Sequence, residues 1–341
     1  MSTTVSARAT RRRRVAATLL AVASLAGAAV LGSCGVTADD GAAATARPAE
    51  AAVRVIDGRT APNPTQAANG PVLPVGPPPV PLAVDLTPIA DPLTVRFSRP
   101  PRAGLLFDLD SGEVLWRRNP TRVLPMASIT KIMTAILADE RVPPGGKVRI
   151  TRQAVTTGGS KVGLLPLGKR VGVSAMLHGL LLTSGNDAAT ALAQRVSGTT
   201  KQFVARMNAR AEAMHLQCTR FASPSGLVDA GNHSCAYDLA ALARALLDRP
   251  RLARIVARKT AVLPFPIKGG KLYLSNHNPL LKQDYPGTLG IKTGYTRLSG
   301  KCLVAAAEKG GRRLGVVLLG SPDIGAQSIK LLDRGFAIKR S

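Results

Sequence analysis

Apolar and polar positions follow two kinds of spacing after about residue 100. Two short apolar stretches, residues 103–107 and 114–117, flank a turn-forming segment and predict a β-hairpin. Beyond it, apolar residues recur every three or four positions, which indicates amphipathic helices. The predicted helices cover residues 128–138, 174–183, 187–196, 200–214 and 236–247.

Strand patterns return near the end of the chain. Residues 289–292, 301–307 and 314–319 are short apolar runs, and the last two flank a Gly-containing turn. A final helix is predicted over residues 325–336. Strands at both ends that enclose a helical middle predict an α+β domain.

The amino-terminal segment has the pattern of a secretory signal. Arg8 and the arginines at positions 11–14 precede an uncharged apolar stretch over residues 15–31. This stretch ends in Leu31-Gly32-Ser33-Cys34, and small residues before a lone cysteine resemble a bacterial lipobox, where the cysteine is lipidated. We expect an exported protein held at the membrane by lipid on Cys34 or by an uncleaved signal. Ordinary cleavage nearby is the alternative.

Residues 35–100 are rich in Ala and Pro and show no sustained apolar period. Such a composition predicts a linker. The chain is therefore expected to consist of a signal segment at residues 1–34, a linker at residues 35–100 and a folded domain at residues 101–341.

The formal net charge of +26 is extreme, and it belongs to the folded domain as well as to the signal. Residues 101–341 hold 36 Lys and Arg against 14 Asp and Glu. A field of one sign attracts anionic partners. Aromatic residues make up only 3% of the chain and no nucleic-acid motif is present, which disfavours nucleic acid. Envelope polyanions or acidic lipids explain the charge equally well, and a generally basic surface is favoured over a dedicated binding site.

The segment Ser128-Ile129-Thr130-Lys131 opens the first predicted helix. Residues three apart on a helix share a face, so Ser128 and Lys131 are expected to be neighbours. A serine hydroxyl becomes a nucleophile when a base takes its proton, and a lysine can be that base if burial or a nearby cation depresses its pKa. Alone the pair proves little, because such a serine more often caps or solvates a helix.

Two further motifs strengthen the hypothesis. Ser184-Gly185-Asn186 lies between two predicted helices, where a hydroxyl and an amide could project into one cleft. Lys292-Thr293-Gly294 is expected to end a short strand, with a cation, a hydroxyl and room for close backbone approach. In this order the three motifs resemble those of class A β-lactamases and penicillin-binding proteins.

The surrounding sequence resembles one family over roughly residues 101–338, the low-molecular-mass penicillin-binding D-alanyl-D-alanine carboxypeptidases. The similar segments are residues 125–131, 179–189, 224–227, 236–239 and 285–296. The resemblance implies the β-lactamase/penicillin-binding transpeptidase-like fold, an antiparallel sheet flanked by helices with an all-helical subdomain. It also implies removal of the terminal D-alanine from peptidoglycan stem pentapeptides, and covalent inhibition by β-lactam antibiotics.

The same resemblance implies a role for each motif residue. Ser128 would form the acyl-enzyme with help from Lys131, Ser184 would relay a proton, and Asn186 would hold Lys131 and substrate. The implied substrate-binding residues are Lys292, Thr293, Gly294 and Thr296. The backbone N–H groups of Ser128 and Tyr295 would bind the oxyanion. In many relatives an arginine just before the final helix assists with the substrate carboxylate, whereas residues 321–325 here read Ser-Pro-Asp-Ile-Gly.

No metal or organic cofactor is expected, since the histidines lack the spacing of metal ligands. They are His178, His215, His233 and His277. An exported chain meets an oxidising environment, so Cys218 and Cys235, which flank one loop, are predicted to form a disulfide. Two unpaired cysteines are the alternative. Cys302, in an apolar strand, is predicted to be a buried thiol.

Other functions remain open from sequence. A β-lactamase would use the same serine, but class A enzymes need a dedicated glutamate for deacylation. Glu212 lies after Asn186, within a basic helical pattern unlike that motif. A wall-binding module with lapsed catalysis would not need the intact motifs. A transpeptidase would pass the acyl group to an amine instead of water.

Overall fold

The computed structural model describes residues 82–227 and 230–338. The predicted signal segment, Cys34 and most of the predicted linker lie outside these residues. The described residues all belong to one compact unit.

The described residues form strands and helices in alternating groups. The strands β1 to β11 are, in order, Ala103–Asp108, Val114–Arg118, Leu124–Pro125, Lys147–Arg149, Arg170–Gly172, His233–Ser234, Thr260–Pro264, Lys271–Ser275, Thr288–Thr296, Gly300–Lys309 and Arg312–Ser321. The helices α1 to α9 are Lys131–Arg141, Arg152–Thr156, Val173–Leu181, Asn186–Ser197, Thr200–Ala213, Ala236–Leu247, Pro250–Val256, Pro279–Lys282 and Ile324–Phe336. A 3₁₀ turn, Ala127–Thr130, leads directly into α1.

Five strands form the central sheet, in the order β2-β1-β11-β10-β9. Every neighbouring pair is antiparallel, and the register places Leu105 opposite Val317 and Lys292 opposite Val304. Three two-stranded sheets, β3-β6, β4-β5 and β7-β8, lie outside it. The described residues thus form an α+β domain, as the hydrophobic pattern predicts, and its central sheet is antiparallel, as the family resemblance implies.

Both faces of the central sheet are covered, so successive residues of one strand enter different cores. In β1, Leu105 and Phe107 pack in the large core with α1 and α6, whereas Leu106 packs on the opposite face with Leu331 and Leu332 of α9. A strand buried on both faces needs a continuous apolar run instead of alternation. That requirement explains the unbroken apolar sequence of residues 314–319.

The largely helical part of the fold is built around α4. Helices α1, α2, α3 and α5 all contact it, and its alanines and Leu192 are buried. Small side chains allow close packing on several sides at once. The Ser-Gly-Asn motif stands at the start of this central helix, next to the large core.

Some predicted elements differ from the structure in extent. Ser128 lies in the 3₁₀ turn and α1 begins only at Lys131. The predicted strand at residues 289–292 is too short, because β9 continues through the Lys-Thr-Gly motif to Thr296. Helices α2, α7 and α8 and the hairpin β7-β8 were not predicted, since each has too few residues to establish a period.

The last part of the predicted linker lies against the domain. Val84 is buried in the large core, and Leu93, Val95 and Phe97 pack beside the α9 core. Asp91 forms an ion pair with Arg117 of β2. These residues pack as an irregular segment, so they have no periodic spacing to distinguish them from a linker. The exact division at residue 100 stays a prediction.

Within residues 82–227 and 230–338, no helix has both the length and the apolar character required to cross a bilayer.

Candidate active site

Ser128 is fixed by an unusual backbone conformation on its amino-terminal side. Ala127 has φ +49°, in the left-handed region that alanine rarely occupies. The Thr130 hydroxyl donates to the Ala127 carbonyl at 2.8 Å. Gly226 lies so close that a Cβ there would come within 2.0 Å of the Ala127 oxygen. Only glycine leaves room for this turn, which presents the Ser128 side chain to the cleft.

Lys131 is completely buried, and its amino group has three oxygen neighbours. Nζ lies 2.8 Å from Ser128 Oγ, 2.7 Å from Asn186 Oδ1 and 2.6 Å from the Ser225 carbonyl oxygen. The amide oxygen and the carbonyl can only accept hydrogen bonds, whereas the serine hydroxyl can also donate. A neutral amine could therefore donate to Asn186 and Ser225 and accept the Ser128 proton.

The electrostatic environment favours that neutral amine. Burial, followed by the positive charge of Lys292, holds the pKa of Lys131 well below its usual range, while Asp187 opposes the shift. Burial also lowers the pKa of Lys292, to about 7. Burial thus disfavours the charged form of both lysines, and the charge of Lys292 further disfavours a charge on Lys131.

The Ser-Gly-Asn motif is held by hydrogen bonds to the loop at residues 158–162. Asn186 donates through its amide to the Gly158 carbonyl at 2.9 Å, and its backbone N–H donates to the Ser160 carbonyl at 2.7 Å. Ser184 has φ +61° and is almost fully buried. Within the described residues its hydroxyl makes no hydrogen bond, so it can bond a substrate.

Asp187 secures this loop from the first turn of α4. Both of its carboxylate oxygens accept from Val162 N at 3.0 Å, and one also accepts from Ala188 N at 2.8 Å. Burial raises the pKa of Asp187, although these N–H donors oppose the shift. Asp187 therefore positions the loop that positions Asn186.

The Lys-Thr-Gly motif lies on β9, the edge strand beside the nucleophile. Lys292 is buried and donates to the Thr293 carbonyl at 2.8 Å, while Thr293 is partly exposed. A Cβ on Gly294 would lie 3.1 Å from Ser128 N, which shows how closely the strand passes. Tyr295 follows, with 68% of its surface exposed. The motif thus forms one wall of the cleft.

The structure also shows the surroundings of Thr296 and of the segment before the final helix. Thr296 bonds with its backbone N–H and its hydroxyl to Ser299 Oγ, both at 2.9 Å, so it also shapes the turn after β9. Residues 321–325 contain no arginine; instead Asp323 accepts from the first N–H groups of α9 and caps that helix. Recognition of a substrate carboxylate by Lys292, Thr293 and Thr296 stays a prediction.

A disulfide joins the ends of residues 218–235, the segment that contains Ser225, whose carbonyl contacts Lys131. Cys218 and Cys235 are joined, with their Cα atoms 5.5 Å apart. Between them, Asn232 donates to Thr130 Oγ1 at 2.8 Å, and the Pro224 carbonyl accepts from Thr134 at 2.7 Å. The segment is thereby bound to the turn and helix that carry Ser128 and Lys131. Cys302 is buried in β10 and is not part of the disulfide.

We expect Cys218→Ser/Cys235→Ser to lower the free energy of unfolding by about 3 kcal/mol, because the unfolded chain loses a closed loop. Urea denaturation of the oxidised wild type and the double variant measures this difference. Dithiothreitol should destabilise the wild type and leave the double variant unchanged. Alkylation of Cys218 in the unreduced protein, detected by mass mapping, would contradict the pairing.

Sequence reasoning did not single out Ser225, Gly158 or Asp187. The first two act through backbone carbonyls, for which any residue type would serve. Asp187 directly follows the Ser-Gly-Asn motif, and its position at the first turn of a helix was the available signal. Ser225 lay within a segment similar to the family, but without an assigned role.

The sequence profile of the D-alanyl-D-alanine carboxypeptidases matches residues 100–323. The chain belongs to this family. The match spans the 3₁₀ turn, the start of α4 and β9, and so includes all three motifs.

Individual relatives support the assignment. D-alanyl-D-alanine carboxypeptidase DacF of Bacillus subtilis is 36% identical over 72% of this chain and 64% of its own length. The corresponding DacB2 of Mycobacterium tuberculosis is 37% identical over 70% of this chain and 83% of its own. This chain therefore spans less than two thirds of the first relative and most of the second.

A solved structure extends the similarity to the fold. The D-alanyl-D-alanine carboxypeptidase of Mycobacterium tuberculosis superposes with a TM-score of 0.68 at 34% identity, covering 75% of this chain and 98% of that one. The predicted fold of the penicillin-binding enzymes is thus confirmed. The domain boundaries and the role of each site residue stay predictions.

Proposed function

We propose that this chain is an extracytoplasmic serine-type D-Ala-D-Ala carboxypeptidase that removes the terminal D-alanine from peptidoglycan stem pentapeptides. The observation that carries the proposal is the buried Lys131 amino group, 2.8 Å from Ser128 Oγ with its other neighbours restricted to accepting hydrogen bonds. Family membership supplies the substrate class, and this contact supplies the activated nucleophile.

In the acylation step, Ser128 Oγ attacks the carbonyl carbon of the penultimate D-alanine as its proton passes to Lys131. We expect the backbone N–H groups of Ser128, in the 3₁₀ turn, and of Tyr295, on β9, to stabilise the oxyanion. The C–N bond then breaks, and Ser184 relays a proton to the departing amine of the terminal D-alanine. An ester on Ser128 remains.

Substrate recognition falls to the β9 side of the cleft. Lys292 provides a positive potential and Thr293 a partly exposed hydroxyl, while Gly294 lets β9 pass close to the 3₁₀ turn that carries Ser128. Asn186 can hold the substrate amide while its oxygen remains bonded to Lys131. Thr296 supports this wall through Ser299 and the turn after β9.

Deacylation requires water to attack the ester on Ser128. Glu212, the glutamate weighed for a β-lactamase, is exposed near the end of α5 and makes no contact with Lys131. We therefore expect β-lactams to form long-lived acyl-enzymes and to act as inhibitors. The intact arrangement of Ser128, Lys131 and Asn186 disfavours a lapsed wall-binding module.

One incubation separates the possible outcomes. Purified protein is given a stem pentapeptide together with an acceptor amine, and free D-alanine, tetrapeptide and crosslinked product are measured; penicillin turnover is measured in parallel. Tetrapeptide in equal amount to D-alanine supports the carboxypeptidase. D-alanine released with crosslinked product would indicate transpeptidation, and rapid penicillin turnover would indicate a β-lactamase.

The activity is expected to depend on pH through Lys292. Because the pKa of Lys292 is lowered to about 7 by burial, the free enzyme loses this positive charge as pH rises through that value. Binding of a substrate carboxylate should then weaken, so kcat/KM falls on the alkaline side. A bound carboxylate favours charged Lys292, which moves the corresponding fall in kcat to higher pH.

A pentapeptide with an amidated carboxyl terminus is the matched substrate for this test. It lacks the charge that Lys292 attracts, so the alkaline fall in kcat/KM should largely disappear. An alkaline fall of equal size with both peptides would exclude carboxylate recognition by Lys292 as its cause.

We also propose that Cys34 carries a lipid anchor, as the apolar stretch and small residues before it suggest. Cys34→Ala should lose incorporation of a labelled fatty acid and leave the membrane fraction. Ser33→Ala keeps a small residue before the cysteine and should still be labelled. Continued labelling and sedimentation of Cys34→Ala with membranes would rule out this anchor.

A further inference from the structure

A cavity of about 280 Å³ outside the active site is lined mainly by basic side chains. It lies between α3 and α7. Arg251 and Arg254 come from α7, Arg258 from the segment just after it, and His178 from α3. The arginines occupy positions i, i+3 and i+7, which place them along one face of a continued helix.

Two of the three arginines have charges that no acid among the described residues balances. Arg251 donates to the Val142 carbonyl at 3.1 Å and lies 3.5 Å from Asp139. Within the described residues, neither Arg254 nor Arg258 forms an ion pair or a side-chain hydrogen bond. The cavity therefore has a net positive charge and unused guanidinium donors.

The backbone that carries these donors is fixed. Asn276 is buried and donates to the Val256 carbonyl at 3.1 Å and to the Arg258 carbonyl at 2.9 Å. These bonds hold the end of α7 and the residue that continues it. The arginines are thus carried by a backbone that is already ordered. Less conformational entropy is therefore lost when a ligand binds.

His178 adds a buried polar group to the same cavity. It is only 6% exposed, and its Nδ1 lies 2.8 Å from the Ser174 carbonyl, which can only accept. Nδ1 therefore carries a proton and Nε2 remains for another contact. Burial, then the charges of Arg258 and Arg251, lower the pKa of His178, which shows that the positive field reaches this ring.

We propose that this cavity is a binding site for a phosphate group, held chiefly by Arg254 and Arg258. Guanidinium groups bind phosphate oxygens through paired N–H donors, and Arg251 would add its charge from the side. The volume is below the usual range of pockets for whole organic ligands, so it suits a head group with part of its attached chain. A phosphate carried by a membrane lipid or by a soluble molecule would have this chemistry.

The test uses the full chain and glycerol 1-phosphate as the soluble probe in isothermal titration calorimetry. Arg254→Ala/Arg258→Ala should weaken binding by at least about tenfold, since two charge-assisted contacts are lost. Lys309→Ala/Arg334→Ala removes the same charge from exposed sites on β10 and α9 and should bind as the wild type does. Arg254→Lys/Arg258→Lys keeps the charge but removes the paired donors, and should weaken binding to an intermediate extent.

Vesicles distinguish the two sources of phosphate. Cosedimentation with phosphatidylglycerol vesicles, above that with phosphatidylcholine, should fall in the Arg254/Arg258 variant if the ligand is a lipid head group. If only glycerol phosphate binding falls, the site accepts a soluble phosphate. The proposal is overturned if glycerol phosphate shows no saturable binding, or if the Lys309/Arg334 variant weakens it equally.

Discussion

Ser128→Ala is expected to abolish both release of D-alanine and covalent labelling by penicillin. The substitution removes the hydroxyl that we propose forms the acyl bond, while the proposed oxyanion donors and substrate-binding wall remain. Loss of a nucleophile in a serine hydrolase typically costs about 10⁴-fold or more in kcat. We expect a loss of that order, measured with a stem pentapeptide and with labelled penicillin.

The matched control is Ser98→Ala, which removes the hydroxyl of an exposed serine distant in sequence from every motif. It should retain full activity and labelling. Ser184 is the other motif serine, so stable labelling of the Ser128→Ala protein would make Ser184 the next candidate nucleophile. Mapping the labelled peptide would then identify the true nucleophile.

The sequence predicted the strands and helices that have a clear period, but not the short ones. Helix α6 has the predicted bounds, because an alanine- and leucine-rich face continues through its length. Helix α7 has seven residues, two of them arginines, and its buried side is only Leu252, Ile255 and Val256. Its position depends on packing against β9, which the local sequence does not contain.

In the active site, too, a contact between residues close in sequence could be predicted from local spacing, whereas contacts between distant residues could not. The Ser128–Lys131 contact spans three residues, so helical geometry was enough to predict it. The contacts of Lys131 with Asn186 and Ser225 span 55 and 94 residues. Family resemblance supplied the first of these. The second uses a backbone carbonyl and could be found only from the folded chain.

The left-handed backbone conformations could not be predicted from the sequence either. Alanine at position 127 favours helix in isolation, yet its φ is +49°. The hydrogen bond from the Thr130 hydroxyl to its carbonyl compensates for part of this strain, and Gly226 leaves room for that carbonyl. Such strain tends to occur where surrounding structure fixes a functional group, and here that group is the Ser128 hydroxyl.

Lys131→Ala is expected to slow acylation by about 10² to 10⁴-fold, the usual contribution of a positioned general base. Penicillin should still bind reversibly, because Ser128, Lys292 and the β9 wall are all retained. Stopped-flow measurement with a chromogenic β-lactam separates the two effects. The acylation rate constant should fall strongly, whereas the dissociation constant of the initial complex changes little.

Lys131→Arg distinguishes loss of the base from loss of the charge. Arginine keeps a cation near Asn186 and Ser225 but cannot give up its proton in a protein, so it cannot accept one from Ser128. If Lys131 acts as a neutral base, the arginine variant should acylate as slowly as the alanine variant. If the lysine acts only through its charge, the arginine variant should instead retain much of the wild-type rate. The lowered pKa of Lys131, caused by burial and by Lys292, favours the first result.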